Sequence, residues 1–129
     1  MNKLLTPLEL RVMNILWKIK HGFVKDILER WTEQPPPAYN TISTIIRILQ
    51  EKGFIAYKAQ GRSYEYYPTM SKLSYQKMLI FNVIESAFAG SASSLISTLV
   101  NDEHLSEAEI KELQSLLNAK VNTDEKNKE

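Results

Sequence analysis

Asn40, Ser43, Thr44 and Arg47 recur on one side of a helical repeat, with Tyr39 and Thr41 beside them. These side chains are short hydrogen-bonding groups, one phenol and one guanidinium. Hydroxyls and amides bond phosphate oxygens or base edges, and arginine pairs with guanine. A solvated helix face more often shows Glu–Lys pairs. Here no acid occurs before Glu51. That composition suits close approach to a polyanion. Taken alone it also fits a plain amphipathic helix, so the neighbouring elements must decide.

Catalytic chemistry finds less support. His21 and His104 are far apart, and neither has a second histidine at His-x-x-x-His spacing. There is no cysteine, which removes thiolate nucleophiles, disulfides and Cys-based metal sites together. Neither a Gly-x-Gly-x-x-Gly nor a phosphate-binding loop occurs. Glu103, Glu107, Glu109 and Glu112 crowd one helix start, where the helix dipole favours acids. That explanation is sufficient. No catalytic residue, metal site or cofactor is expected, and an enzyme is not.

The elements that must hold the polar face follow from periodicity. Ile42, Ile45, Ile46 and Leu49 form the buried stripe of a helix from Tyr39 to about Lys52, and Gly53 caps its end. Before it, Thr6-Pro7-Leu8-Glu9 opens a first helix with a capping box, and Leu5 and Leu10 are placed as its staple. Leu10, Met13, Leu16 and Trp17 make its stripe. A second helix is expected from Phe23 to Trp31, with Val24, Ile27, Leu28 and Trp31 inward. Pro35-Pro36-Pro37 is a stiff connector. After Gly53 the period shortens. Residues 54–59 and 63–67 read as two strands around Gln60-Gly61-Arg62. Three helices and a hairpin outline a winged helix-turn-helix, with Lys58 and Arg62 projecting from the wing toward a duplex backbone.

The second half has a different character. Residues 1–70 hold ten Lys and Arg against six Asp and Glu, a net +4, whereas residues 71–129 hold six against nine, a net −3. One polyanion-facing module and one module with another task are expected. Ser71 can cap a helix running to about Phe88. Its apolar positions, among them Tyr75, Met78, Leu79, Phe81, Ile84 and Phe88, cover more than one face. Such a helix must be buried nearly all round. The rest of the chain is too small for that, so a second copy on a two-fold axis is expected to complete the burial. Leu95, Ile96, Leu99 and Val100 add another stripe. Ser106 and Glu109 form a second capping box, and Ile110, Leu113, Leu116 and Leu117 form the last stripe. From Asn122 the chain is polar and expected to be disordered. The expected domains are residues 1–70 for DNA, 71–121 for dimerisation and 122–129 as a tail. No signal peptide or bilayer-spanning apolar run is present, so a cytoplasmic protein without membrane insertion is expected. A DNA-binding homodimer is the favoured reading. A winged-helix adaptor that binds protein and not DNA is the alternative.

Several stretches carry a family resemblance. They are Leu-Thr-Pro-Leu-Glu (5–9), Val-Met-Asn-Ile-Leu-Trp (12–17), Tyr-Asn-Thr-Ile-Ser-Thr-Ile-Ile (39–46), Glu-Lys-Gly-Phe-Ile (51–55), Gly-Arg-Ser-Tyr-Glu-Tyr-Tyr-Pro (61–68) and the run from Phe88 to Val100. Together they resemble the penicillinase repressor family, the BlaI/MecI/CopY repressors. The resemblance implies a dimeric winged-helix repressor on inverted repeats in promoters of antibiotic-resistance genes. In its β-lactam-linked branch it implies inactivation by a membrane sensor metalloprotease that cuts the dimerisation domain. The absent cysteine points away from the copper-responsive branch, which carries a Cys-rich tail. Two departures stand out. The family often has Arg-Leu where this chain has Ile48-Leu49, with Arg47 one place earlier. The β-lactam-linked members are cut between an Asn and a Phe, and the matching positions here are Thr98 and Leu99.

Overall fold

A computed structural model describes residues 4–103 and 105–128. The element order is α1 (Pro7–Ile19), α2 (Val24–Glu29), α3 (Tyr39–Glu51), β1 (Ile55–Gln60), β2 (Ser63–Pro68), α4 (Lys72–Ala87), α5 (Ala92–Val100) and α6 (Glu107–Lys128). The chain divides into two units, Met1–Ile80 and Phe81–Glu129.

The start of α1 is fixed by its capping box. The Glu9 backbone N–H donates to Thr6 Oγ1 at 3.2 Å, and the Thr6 N–H donates to Glu9 Oε1 at 2.9 Å. Val12, Met13 and Leu16 are fully buried, so Val12 takes the inward place that periodicity assigns to Leu10, which is half-buried. The second helix is shorter than expected. Its last turn tightens, with Arg30 N–H donating to the Ile27 carbonyl and Trp31 N–H to the Leu28 carbonyl, both at 3.2 Å. Trp31 is buried nonetheless.

At the end of α3 the Phe54 N–H donates to the Leu49 carbonyl at 2.9 Å and the Gly53 N–H to the Gln50 carbonyl at 3.1 Å. This pair of bonds is a Schellman motif, and it requires the left-handed φ of +84° that Gly53 adopts. Leu49 and Phe54, the two apolar residues that flank it, are both fully buried. Burying such a side chain contributes about 1.5–3 kcal/mol. The strands pair antiparallel from Ile55 opposite Pro68 to Gln60 opposite Ser63. That register leaves a two-residue turn, Gly61-Arg62, with φ +64° at Gly61. A positive φ at the first turn residue alone is the type II′ pattern. Gly22 ties the wing to the α1–α2 connection through two backbone bonds with Tyr66, at 2.9 and 2.8 Å.

Two expectations are revised. First, Tyr75, expected between two copies, lies inside one chain. Its hydroxyl accepts from the Leu5 N–H at 3.0 Å, and its ring meets Phe54 edge-on at 5.8 Å and Trp17 at 5.9 Å. Met78 and Leu79 also pack partly against this core. A helix apolar on several faces can serve its own core with one of them. The unit boundary consequently falls after Ile80, ten residues beyond the expected domain limit. Second, residues 122–128 continue α6. The tail has no Gly or Pro to stop a helix, and Lys120 and Asp124 pair one turn apart at 3.4 Å. The burial of residues 71–88 that was expected to need a second copy is not completed within one chain, where Leu73 and Phe81 are 60% and 62% exposed.

In the Phe81–Glu129 unit, α4 ends at Ala87 and the chain turns away at Ala89 and Gly90, both with positive φ, where the Gly90 N–H donates to the Ile84 carbonyl at 2.9 Å. Ser91 caps α5 by accepting from the Ser94 N–H at 3.0 Å. Ser106 and Glu109 form the expected box at the start of α6. Among the described residues no single helix is long and apolar enough to cross a membrane.

Candidate nucleic-acid interface

Helix α3 sits on its four isoleucine and leucine anchors, which are 0–7% exposed. Its remaining surface divides in two. Asn40, Thr44 and Arg47 are exposed and spaced i, i+4, i+7, which makes one outward row, with Thr41 exposed beside it. Tyr39 and Ser43 instead line a cleft of about 420 Å³ between the start of α3, the start of α2 and the wing. Sequence periodicity groups all of these on one face; the wing separates them.

The outward row has defined hydrogen-bonding chemistry. The Thr44 hydroxyl donates to the Asn40 carbonyl at 2.9 Å, so its lone pairs remain for an incoming donor. Arg47 has no ion-pair partner among the described residues. Its guanidinium is therefore free to fork onto a base or a phosphate.

The wing has two distinct faces. Along β1 and β2, Tyr57, Tyr64 and Tyr66 share the face that also carries buried Ile55. Their rings are in contact, Tyr57 with Tyr64 at 4.6 Å and with Tyr66 at 6.2 Å. Burial pushes the Tyr66 phenol above its ordinary value, and the neighbouring Tyr39, Tyr64 and Tyr57 add to this. Tyr66 thus stays a neutral hydrogen-bond donor. Lys58 lies on the other face. It stands opposite Glu65 in the register and 6.0 Å over the Tyr67 ring. Arg62, at the turn, lines the cleft. The two wing cations expected to act together are thus not brought together. His21 Nδ1 is 3.3 Å from Glu65 Oε1 on that same side, and His104 lies outside the described residues.

Lys25, Gln60, Ser63 and Tyr64 join the cleft without having been anticipated. Strict alternation of Tyr64 and Tyr66 around Glu65 is a signal that could have found the tyrosines. Nothing local marks Lys25, which reaches the cleft only because α2 packs on α3.

An acid-poor recognition helix beside a basic, aromatic wing is a DNA-reading arrangement. Comparison with known proteins agrees. A family model described as penicillinase repressor matches residues 5–119. The chain belongs to the penicillinase repressor family. Methicillin resistance regulatory protein MecI of Staphylococcus aureus (strain N315) is 34% identical over 112 residues, which span 87% of this chain and 91% of that protein. The penicillinase repressor of Bacillus licheniformis is 24% identical over 109 residues, 84% of this chain and 85% of that one. A solution structure of the DNA-binding domain of the repressor BlaI aligns with 24% identity and a TM-score of 0.49, over 55% of this chain and 87% of that domain. As a penicillinase repressor family member the chain is a DNA-binding transcriptional repressor and not an enzyme. The adaptor alternative falls away.

The residues expected for assembly and cleavage lie in the second unit and at its border. Phe81, Leu99, Leu116 and Leu117 are 62%, 42%, 61% and 59% exposed in the single chain. Ile84, Phe88, Leu95, Ile96, Ile110 and Leu113 are half-buried. Thr98 and Leu99 are exposed within α5, where the Thr98 hydroxyl donates to the Ser94 carbonyl at 2.9 Å.

Proposed function

We propose that this repressor is a cytoplasmic homodimer that occupies an inverted-repeat operator in a resistance-type promoter. The observation that carries the reading is the exposed, acid-free row Asn40, Thr44 and Arg47 on a helix anchored from behind by Ile42, Ile45, Ile46 and Leu49. Each α3 enters the major groove of one half-site, and Asn40, Thr41, Thr44 and Arg47 meet base edges or flanking phosphates. The second units pair through Phe81, Ile84, Phe88, Leu95, Ile96, Leu99, Ile110, Leu113 and Leu117. Release follows when a membrane sensor metalloprotease cuts between Thr98 and Leu99. The cut detaches α6, and with it the apolar face that α6 contributes to pairing. A protease needs an extended strand, so α5 must unwind locally before cleavage. Repression is occupancy, and it weakens when two linked half-site contacts become one.

Footprinting on the promoter of the protein's own gene tests the reading. Two symmetric protected half-sites are expected, centred one helical turn or a multiple apart. Arg47→Ala should weaken binding to that site by about 1–3 kcal/mol while leaving the thermal unfolding intact. A single unsymmetric footprint, or an Arg47→Ala protein that binds as tightly as wild type, overturns it.

A further inference from the structure

Another groove of the first unit, of about 560 Å³, lies between α1 and the end of α2. No residue of α3 or the wing lines it, so duplex recognition does not account for it. Three cations border it, Arg11, Lys18 and Arg30, against one carboxylate, Glu29. Arg11 is engaged, 2.7 Å from Glu33. Lys18, Arg30 and Glu29 have no ion-pair partner among the described residues. Cations on a helix face or at a helix end are ordinary. The indole beside them is not. Trp31 lines the same groove and is only 6% exposed, yet its ring N–H donates to nothing among the described residues. A buried tryptophan N–H usually finds an acceptor. Trp17 does so, on the Met70 carbonyl at 2.8 Å. The Trp31 N–H is not sealed inside the core, so an acceptor from outside the chain can reach it.

We propose that this groove binds a small organic monocarboxylate with an apolar body. A carboxylate supplies both things that the lining lacks: an acceptor oxygen for the Trp31 N–H and negative charge for Lys18 and Arg30. The Arg30 guanidinium matches its two oxygens as a fork. The apolar body lies along half-buried Ile15 on the α1 wall. Glu29 on the opposite wall repels a second carboxylate, which sets the number at one. An apolar wall with a few placed polar groups is the usual build of a small-ligand site, and the volume lies within the range of about 300–1,000 Å³ that such sites occupy. The inference goes beyond the DNA-binding reading, because its residues lie on α1 and the end of α2 alone.

The test uses the full chain, with 2-naphthoate as the probe and the two indole N–H signals followed by ¹H–¹⁵N NMR. Each indole signal is assigned through its own residue's backbone resonances. The Trp31 N–H signal should move and saturate as 2-naphthoate is added, while the Trp17 signal stays, since its donor is already bonded. Lys18→Gln and Arg30→Gln, both surface changes, should each weaken binding roughly three- to tenfold, the range for a charged hydrogen bond discounted for exposure. The neutral 2-naphthalenemethanol and the small anion acetate should each leave the Trp31 signal unsaturated over the same concentrations. No saturable shift at Trp31, or unchanged affinity in both cation variants, would overturn the proposal. A shift by acetate equal to that by 2-naphthoate would remove the apolar body from it and overturn it as stated. Because no duplex is present, failure here leaves the DNA-binding reading untouched.

Discussion

The two units meet their surroundings in opposite ways. Among the described residues, every buried hydrophobic one lies between Val12 and Tyr75. In the second unit no described residue is fully buried, while Phe81, Leu99, Val100, Leu116, Leu117 and Val121 are each at least 42% exposed. The first unit has closed its core and keeps a polar, cationic surface for its partner. The second has helices with good caps and stripes but no core of its own. Isolated helices are marginal in water, and their stability comes from packing an apolar face. Apolar area of this extent on one chain marks an interaction surface. Under the proposed dimeric reading, the difference would let the repressor be switched without touching its DNA-reading surface, through the unit whose apolar area a second chain would cover.

Removing most of the dependent unit is the most severe way to break this contrast. A chain ending at Thr98 lacks α6 and the end of α5. It should sediment as a monomer, and its affinity for a two-half-site operator should fall by about 10²–10⁴, the range that linkage of two contacts supplies. Its first unit should still unfold cooperatively near the full-length temperature, because no buried residue has been removed. A truncated protein that stays dimeric and holds the operator as full-length does would rule out control by cleavage here.

A single charge should do part of the same. Leu99→Asp places an unpaired carboxylate in an apolar interface, which is costly. We expect dimer dissociation to rise roughly 100-fold, about 2.8 kcal/mol at 1.4 kcal/mol per decade. Operator affinity should follow, with no loss in the intrinsic half-site contact. Analytical ultracentrifugation on the variant checks the first expectation and a gel shift the second. An unaltered monomer–dimer equilibrium would mean that Leu99 stays exposed in the assembly.

What was legible in the sequence was local. The boxes at Thr6 and Ser106 and the stop at Gly53 each depend on a few residues at fixed offsets, and each forms as the spacing requires; the hairpin expected around Gln60-Gly61-Arg62 forms too, with Gln60 drawn into β1 and a two-residue turn left. The inward stripe of α3 was legible because four aliphatic residues repeat at the helical period. What was not legible depends on packing partners. Tyr75 reads as one apolar position among many, and only the hydroxyl bond to Leu5 and the rings of Trp17 and Phe54 draw it into its own core. Lys25 and Lys58 look equivalent as isolated cations. The fold turns one into the cleft and sets the other on the far side of the hairpin. The length of α6 was hidden because polar composition signals disorder equally well, and the chain there lacks an apolar stripe strong enough to decide.

The smallest expected effect tests whether the first unit is stabilised independently. Glu9 is buried, which by itself would push its carboxyl up. The hydrogen bond from Lys52 at 2.8 Å, the backbone bond from Thr6 and the Lys52 charge outweigh that, and hold it below the usual 4.5. A carboxyl whose folded value is lowered contributes stability that is full above its unfolded value and lost as pH falls through the folded one. Lys52→Met keeps the stem and removes the donor and the charge. With the Lys52 hydrogen bond and charge gone, the folded value of Glu9 moves up, held down only by the bonds to Thr6. The variant should lose about 1 kcal/mol near neutrality, less than a charged hydrogen bond usually contributes because Lys52 is nearly one-third exposed. The deficit should shrink as acid protonates Glu9 in both proteins. Urea unfolding monitored by Trp17 and Trp31, at several pH values, reads this directly. Dimerisation and the truncated chain's monomeric state should be unaffected. A deficit independent of pH would mean that Lys52 acts by packing alone and that the capping box needs no countercharge.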